Sequence, residues 1–214
     1  MDCFLSVQQN ARVRTKTGNT GEVVETQVYT SVDKSIREAL IAVQSSDVEL
    51  HHATMNDLHH IERLVNGLAV FEKEVDAIHV SKEHYLVDGR IGDSTTPLYR
   101  CLLLWDKKEE RYCGMAFFYF GYDVETGRFL YLEDLFVEES MRGKGCGSLA
   151  MATLALIAKG AGCTGFVWQA LDWNTPALTF YENIGAKVQD GLLTTRFCGE
   201  SLRNFVKNRQ IPSD

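Results

Sequence analysis

Leu130-Tyr131-Leu132-Glu133-Asp134-Leu135-Phe136-Val137, with the turn Arg142-Gly143-Lys144-Gly145-Cys146-Gly147-Ser148 close behind it, decides how this chain is read. The first stretch is an apolar strand broken by two adjacent acids. The second joins that strand to an Ala/Leu-rich helix predicted over Gly145 to Lys159 and closed by Gly160 and Gly162. Gly143, Gly145 and Gly147 let a ligand approach the backbone closely. The helix behind them points unpaired N–H groups and a partial positive charge at the turn, and Arg142 and Lys144 add full charges. Together they form an anion site suited to a pyrophosphate. The alternative is a glycine-rich turn that merely closes a tight strand–helix corner. Other phosphate loops fit poorly. Gly145 follows Lys144 where a Walker-type loop needs Ser or Thr, and Ser148 stands where a dinucleotide fingerprint needs its third glycine.

Working outward, the pattern is mixed α/β from Asp47 onward. A strand is expected at Val48–His52, and a helix capped by Asn56 or Asp57 carries Leu58, Ile61, Leu64, Val65 and Leu68. Residues 75–97 read as irregular. Strands follow at Tyr99–Trp105, Tyr112–Tyr122 and Phe129–Val137, the first two joined by an exposed Asp106–Glu110 hairpin loop. After the helix come a buried strand at Phe166–Leu171, a helix at Thr175–Asn183 and a final hairpin ending in Leu192–Cys198. This order predicts an α/β sheet with antiparallel hairpins and one parallel crossover. Residues 1–46 read as an N-terminal extension, polar loop or disorder from Gln8 to Thr20, with Ile36, Leu40, Ile41 and Val43 able to form a short helix. Residues 47–214 form the domain.

Composition narrows the function. The 214 residues carry a formal charge of −7, which argues against a general nucleic-acid binder and is compatible with cationic substrates. Six cysteines without a Cys-x-x-Cys pair suit a reduced, cytoplasmic setting. No apolar run is long enough to span a bilayer and no secretory leader follows Met1. Arg12, Arg14 and Lys16 against Asp2 leave an organelle transit segment as the alternative. His51-His52 and His59-His60 lack metal-ligand spacing, so no metal is expected.

Arg142-x-x-Gly145-x-Gly147 after an apolar strand resembles the acyl-CoA loop of the GNAT superfamily of N-acetyltransferases. The likeness continues on both sides. Leu130 to Val137 resembles the central strand of its diamine (spermidine/spermine) branch, Asp172-Trp173-Asn174 with Phe180 to Ala186 its next strand and helix, and Ala69-Val70-Phe71-Glu72-Lys73 its substrate-side first helix. It covers residues 47–200 in order. The resemblance implies a mostly antiparallel sheet flanked by helices, with strands splayed at the acyl-CoA site. It also implies acetyl-CoA as co-substrate, a small amine acceptor and a homodimer.

Acyl transfer to an amine needs a neutral amine, a stabilised oxyanion and an accommodated thiolate. Alkyl ammonium groups titrate near ~10.4 and arrive charged. Buried carboxylates are costly unless paired, so Glu133 and Asp134 ask for a role. Alternation sends them to opposite faces unless the strand bulges. Glu133 then suits proton acceptance, through water, and Asp134 attraction of the cation; pairing with internal Arg or Tyr groups is the plainer alternative. The family likeness makes Tyr181 the acid for the departing thiolate and Asn174 and Ala177 pantetheine contacts. It places the backbone of Leu135, Phe136 and Val137 along the pantetheine, and Phe71 and Glu72 beside the amine. Cys146 sits in the phosphate turn, away from the thioester, so direct attack in a ternary complex is expected over a covalent acyl-enzyme. Leu193 and Thr195 stand where polyamine-specific members carry an acid and a tryptophan, so the acceptor stays open among diamines, polyamines and ornithine- or lysine-like groups. The competing classes are a silent acyl-CoA-binding regulatory module and a protein N-acetyltransferase.

Overall fold

The computed structural model describes residues 21–43, 45–90, 97–189, 191 and 193–207, with side chains from residue 32 onward. It divides into two compact units between Gln169 and Ala170. In the first unit the order is α1 (Gly21–Ala42), β1 (Val48–His52), α2 (Leu58–Glu72), α3 (Lys82–Asp88), β2 (Arg100–Asp106), β3 (Arg111–Asp123), β4 (Gly127–Val137), α4 (Cys146–Gly160) and β5 (Gly165–Trp168). The second unit carries α5 (Thr175–Asn183) and α6 (Gly199–Lys207).

The sheet has the order β1-β2-β3-β4-β5. Its first three pairings are antiparallel, and β4 and β5 run parallel, joined by the α4 crossover. Alternate residues fill two cores. Cys101, Leu103, Met115, Phe117 and Phe136 pack with Ile61 and Leu64 of α2 and Tyr85 of α3. Leu102, Leu104, Phe118, Leu130 and Leu132 are buried on the opposite face, as are Leu154 and Ile157 of α4. Burying one such side chain stabilises by about 1.5–3 kcal/mol. α1 lies against α4 so closely that a Cβ on Gly160 would stand 2.8 Å from Ser35 Oγ. Asp33 of α1 also pairs with the buried Arg100 of β2 at 3.1 Å.

The expected strands at β1 to β4 and the helices at α2, α4 and α5 are present, and four expectations need correction. The short N-terminal helix is the 22-residue α1. It buries Val32, Ile36 and Ala39 and leaves Ile41 exposed, because the helical stripe starts one turn earlier than the sequence reading placed it. The loop expected from Gln8 to Thr20 lies outside the described residues. The segment read as irregular holds α3, where the side chains of Ser81 and His84 form a capping box. β5 stops at Trp168 and leaves Leu171 exposed, so the buried strand to Leu171 is not formed. The final hairpin is replaced: no described residue after Trp168 is in a strand, and α6 follows Cys198 with Leu202, Phe205 and Val206 at helical spacing.

Candidate active site

β4 carries a bulge at the acids. Phe117 opposes Asp134 and Phe118 opposes Leu132, so Glu133 has no partner across the ladder. One extra residue shifts the alternation by one. Before it, Leu130 and Leu132 belong to the core under α4. After it, Asp134 and Phe136 belong to the face covered by α2, opposite Phe117 and Met115. Glu133 itself is exposed. The bulge thus brings into one neighbourhood two acids that plain alternation would separate by the thickness of the sheet.

The electrostatics follow from this placement. Burial raises the Asp134 carboxyl to about 6, helped by the charges of Glu133 and Glu72. Glu72, at the end of α2, is raised by burial and by Glu74. The Tyr85 phenol is raised by burial and by Asp134. Tyr119 and Tyr131, stacked at 4.9 Å on either side of the ladder, are raised by burial and then by Glu133. Three carboxylates ringed by phenols form a half-buried region that attracts a cation, whose binding would relieve their mutual repulsion.

Next to this region β4 has an open side. Its pairing with β5 runs from Phe129–Gly165 to Leu132–Trp168 and stops, while its pairing with β3 continues to Val137. Leu135, Phe136 and Val137 therefore carry no β5 partner, which is the splay expected at the acyl-CoA site. Phe136 keeps its ring in the core, so only its backbone faces the gap.

The glycine turn leads from Val137 into α4. Gly143 and Gly145 have φ of 71° and 82°, and a Cβ at either would meet nothing within 4 Å. The glycines are thus needed for the left-handed backbone, and the space above them is open to a ligand. Cys146, Gly147 and Ser148 form the first turn of α4, whose N–H groups are available to an anion. Lys144 Nζ rests 3.7 Å from Met141 Sδ. With Gly145, Cys146 and Ser148 it lines a cavity of about 320 Å³ completed by Val43, Ser45 and Val48. The Cys146 side is buried and its thiol is raised by burial, which suits packing better than nucleophilic work.

Arg142 turns the other way. Its Nε donates to Val137 O at 2.9 Å and its guanidinium covers the Phe71 ring at 4.5 Å. Sequence reasoning also missed Arg63 and Glu138. Glu138 accepts from Arg63 of α2 and from Arg111 of β3, and Arg111 also donates to Ser140 Oγ at 3.3 Å. Burial works against Glu138's charge, but the two guanidiniums outweigh it and hold its carboxyl below the usual range. The signal was the spacing of Arg63, Gly67 and Phe71, every fourth residue along one helix face.

In the second unit Asn174 caps α5, accepting from the Ala177 N–H at 3.4 Å. Tyr181 lies one turn beyond Ala177 on the same face of the helix. Burial raises its phenol. Leu193 is 92% exposed. Among the described residues no cluster of His, Cys, Asp and Glu could hold a metal ion, and no helix is long and apolar enough to cross a membrane.

A strand bulged at paired acids, splayed from its parallel neighbour and feeding a glycine turn onto a helix N-terminus, is an acyl-CoA transferase arrangement. The acetyltransferase (GNAT) family profile matches residues 66–186, and the chain belongs to that family of N-acetyltransferases. Among curated relatives, a thialysine N-epsilon-acetyltransferase of Sus scrofa is 32% identical over 170 residues, covering 75% of this chain and 98% of the relative. A spermidine/spermine N(1)-acetyltransferase-like protein 1 of Homo sapiens is 32% identical over 166 residues, 74% of this chain and 24% of that one. These place the chain in the diamine branch. An aminoglycoside N-acetyltransferase solved in complex with CoA shares the fold, with a TM-score of 0.58 and 16% identity over 72% of this chain and 97% of that one.

Proposed function

We propose that the protein moves an acetyl group from acetyl-CoA to the primary amine of a small cationic acceptor, by direct attack in a ternary complex. The observation that carries this reading is the bulge at Glu133. It sets an exposed carboxylate beside a half-buried one, at the end of the strand that feeds the coenzyme turn. In this reading Asp134 and Glu72, with Phe71, hold the ammonium group, and Glu133 takes its proton through water. The freed nitrogen forms a bond to the acetyl carbon, and an amide of Leu135, Phe136 or Val137 stabilises the oxyanion. The carbon–sulfur bond then breaks and Tyr181 supplies a proton to the thiolate. Burial keeps that phenol protonated through neutral pH, as an acid must be. Gly143 to Ser148 hold the diphosphate, Lys144 supplying the charge while the Arg142 guanidinium is engaged by Val137 O and Phe71, with Asn174 and Ala177 along the pantetheine. Diamines, polyamines and ornithine- or lysine-like amines are the acceptor class, in keeping with the names of the relatives. A cytoplasmic homodimer belongs to the same reading.

Thiol release from acetyl-CoA across a panel of diamines, polyamines, ornithine, lysine and lysine peptides tests it. Turnover should be fastest on the small diamines or free amino acids. Coenzyme binding without turnover on any amine would instead mark a silent module, and turnover confined to peptides a protein acetyltransferase. Tyr181→Phe should lower kcat by about 10- to 100-fold, since a thiolate leaves readily, with acetyl-CoA affinity nearly intact. Glu133→Gln should displace the acidic limb of the pH–rate profile; an unmoved limb removes it as the base.

A further inference from the structure

α2 lies along the exit from β4 into the coenzyme turn and touches it at three points spaced four residues apart. Arg63 pairs with Glu138, the first residue after the strand. Gly67 lies so close to Phe136 that a Cβ there would stand 2.9 Å from the ring's Cε1. Phe71 carries the Arg142 guanidinium over its ring at 4.5 Å, with the Phe136 ring 6.0 Å from the same group. From residue 63 to residue 71 the helix rises about 12 Å. One face of α2 is therefore fastened to the whole strand-to-turn junction, and the last fastening is made by the first residue of the coenzyme turn. Glu72, the next residue along, is one of the carboxylates that raise Asp134.

We propose that Arg142 is a positioning residue for the acceptor side: stacked on Phe71 and bonded to Val137 O, it sets the end of α2, and hence Glu72, by the placement of the coenzyme turn. The proposal rests on the reading of the acidic region as the amine site. It divides the two cations of the turn. Lys144 remains the charge available to the diphosphate, and Arg142 acts across the strand on the acceptor wall. Its guanidinium has a bonded carbonyl on one edge and an aromatic face beneath it, a planar fit that lysine's point charge only partly reproduces.

The test uses the full chain with acetyl-CoA and the best diamine of the panel. Arg142→Gln should raise the acceptor KM by about five- to tenfold, the combined effect of one cation–π contact and one charged hydrogen bond. The Kd for acetyl-CoA, measured by titration, should change less than about twofold. Phe71→Leu should reproduce the acceptor effect, the double variant should be no worse than Arg142→Gln alone, and Arg142→Lys should recover part of the loss. A Kd for acetyl-CoA weakened tenfold with an unchanged acceptor KM would make Arg142 a phosphate ligand and overturn the proposal, as would additive losses in the double variant. If the wild-type protein acetylates no amine, the functional reading fails by itself. The Arg142–Phe71 contact is then read from a thermal-unfolding double-mutant cycle, and a coupling indistinguishable from zero overturns it.

Discussion

The two halves of β4 share one strand and do opposite work. Phe129 to Leu132 pair with β3 on one side and β5 on the other, and Leu130 and Leu132 are almost wholly buried. Asp134 to Val137 pair with β3 alone, show a half-buried acid to the α2 face, and leave one edge of backbone open. A single unpaired residue, Glu133, separates them. Were Glu133 paired in the ladder instead of bulged, the even-numbered side chains would keep to one face throughout, and Asp134 would lie in the apolar core beside Leu132. The bulge lets one strand serve as core in its first half and as site in its second.

The comparison can be broken outright. Inserting one alanine between Phe117 and Phe118 gives Glu133 a partner across the ladder, restores the plain alternation and drives Asp134 beneath α4 while turning Phe136 out of its core. The cost should exceed about 5 kcal/mol, combining a buried unpaired acid with a lost aromatic. The variant should show no cooperative melt by circular dichroism, and a wild-type-like melt would mean the register does not depend on the bulge. A gentler version sets the halves side by side. Leu132→Ala should cost about 2–5 kcal/mol in urea unfolding and Leu135→Ala clearly less, since Leu135 is only half-buried. Equal costs would deny that the second half is the less committed to packing.

The smallest effect sharpens the contrast through pH. Asp134's folded pKa, about 6, lies above its unfolded value, so the folded state binds the proton more tightly. Its contribution to stability is full below about pH 4 and is lost as pH rises through about 6. Asp134→Asn should therefore raise the Tm at pH 7.5 by about 5 °C, leave it nearly unchanged at pH 4, and weaken acceptor binding. A variant less stable at pH 7.5 would show the carboxylate to be paired in the folded protein.

Much of this was legible beforehand. The glycine turn and its helix, the acids in an apolar strand and the Asn174 cap are local signals, because their physics is written in adjacent residues. The condition under which Glu133 and Asp134 could cooperate, a bulge, could be stated, but its occurrence could not. A bulge is a property of two strands in register, and Phe117 and Phe118 are far from Glu133 in sequence. The same holds for Glu138, whose two guanidinium partners come from α2 and β3. The apolar residues up to Cys198 read as a hairpin, and the helical spacing of Leu202, Phe205 and Val206 lies beyond them, outside that reading. At Phe166 to Leu171 an apolar run was taken for buried length, whereas the strand ends at Trp168.

The near-contact of Ser35 with Gly160 makes the first helix a buttress for the second. The glycine turn leads into that second helix, so whatever steadies the helix's trailing end also steadies the turn. Gly160→Leu would wedge the two rods apart. A shortened polypeptide starting at Asp47 would strip one flank of the crossover helix and part the Arg100 guanidinium from its counter-charge. The stretch of chain that looks most dispensable on paper is the one that braces the helix behind the glycine turn.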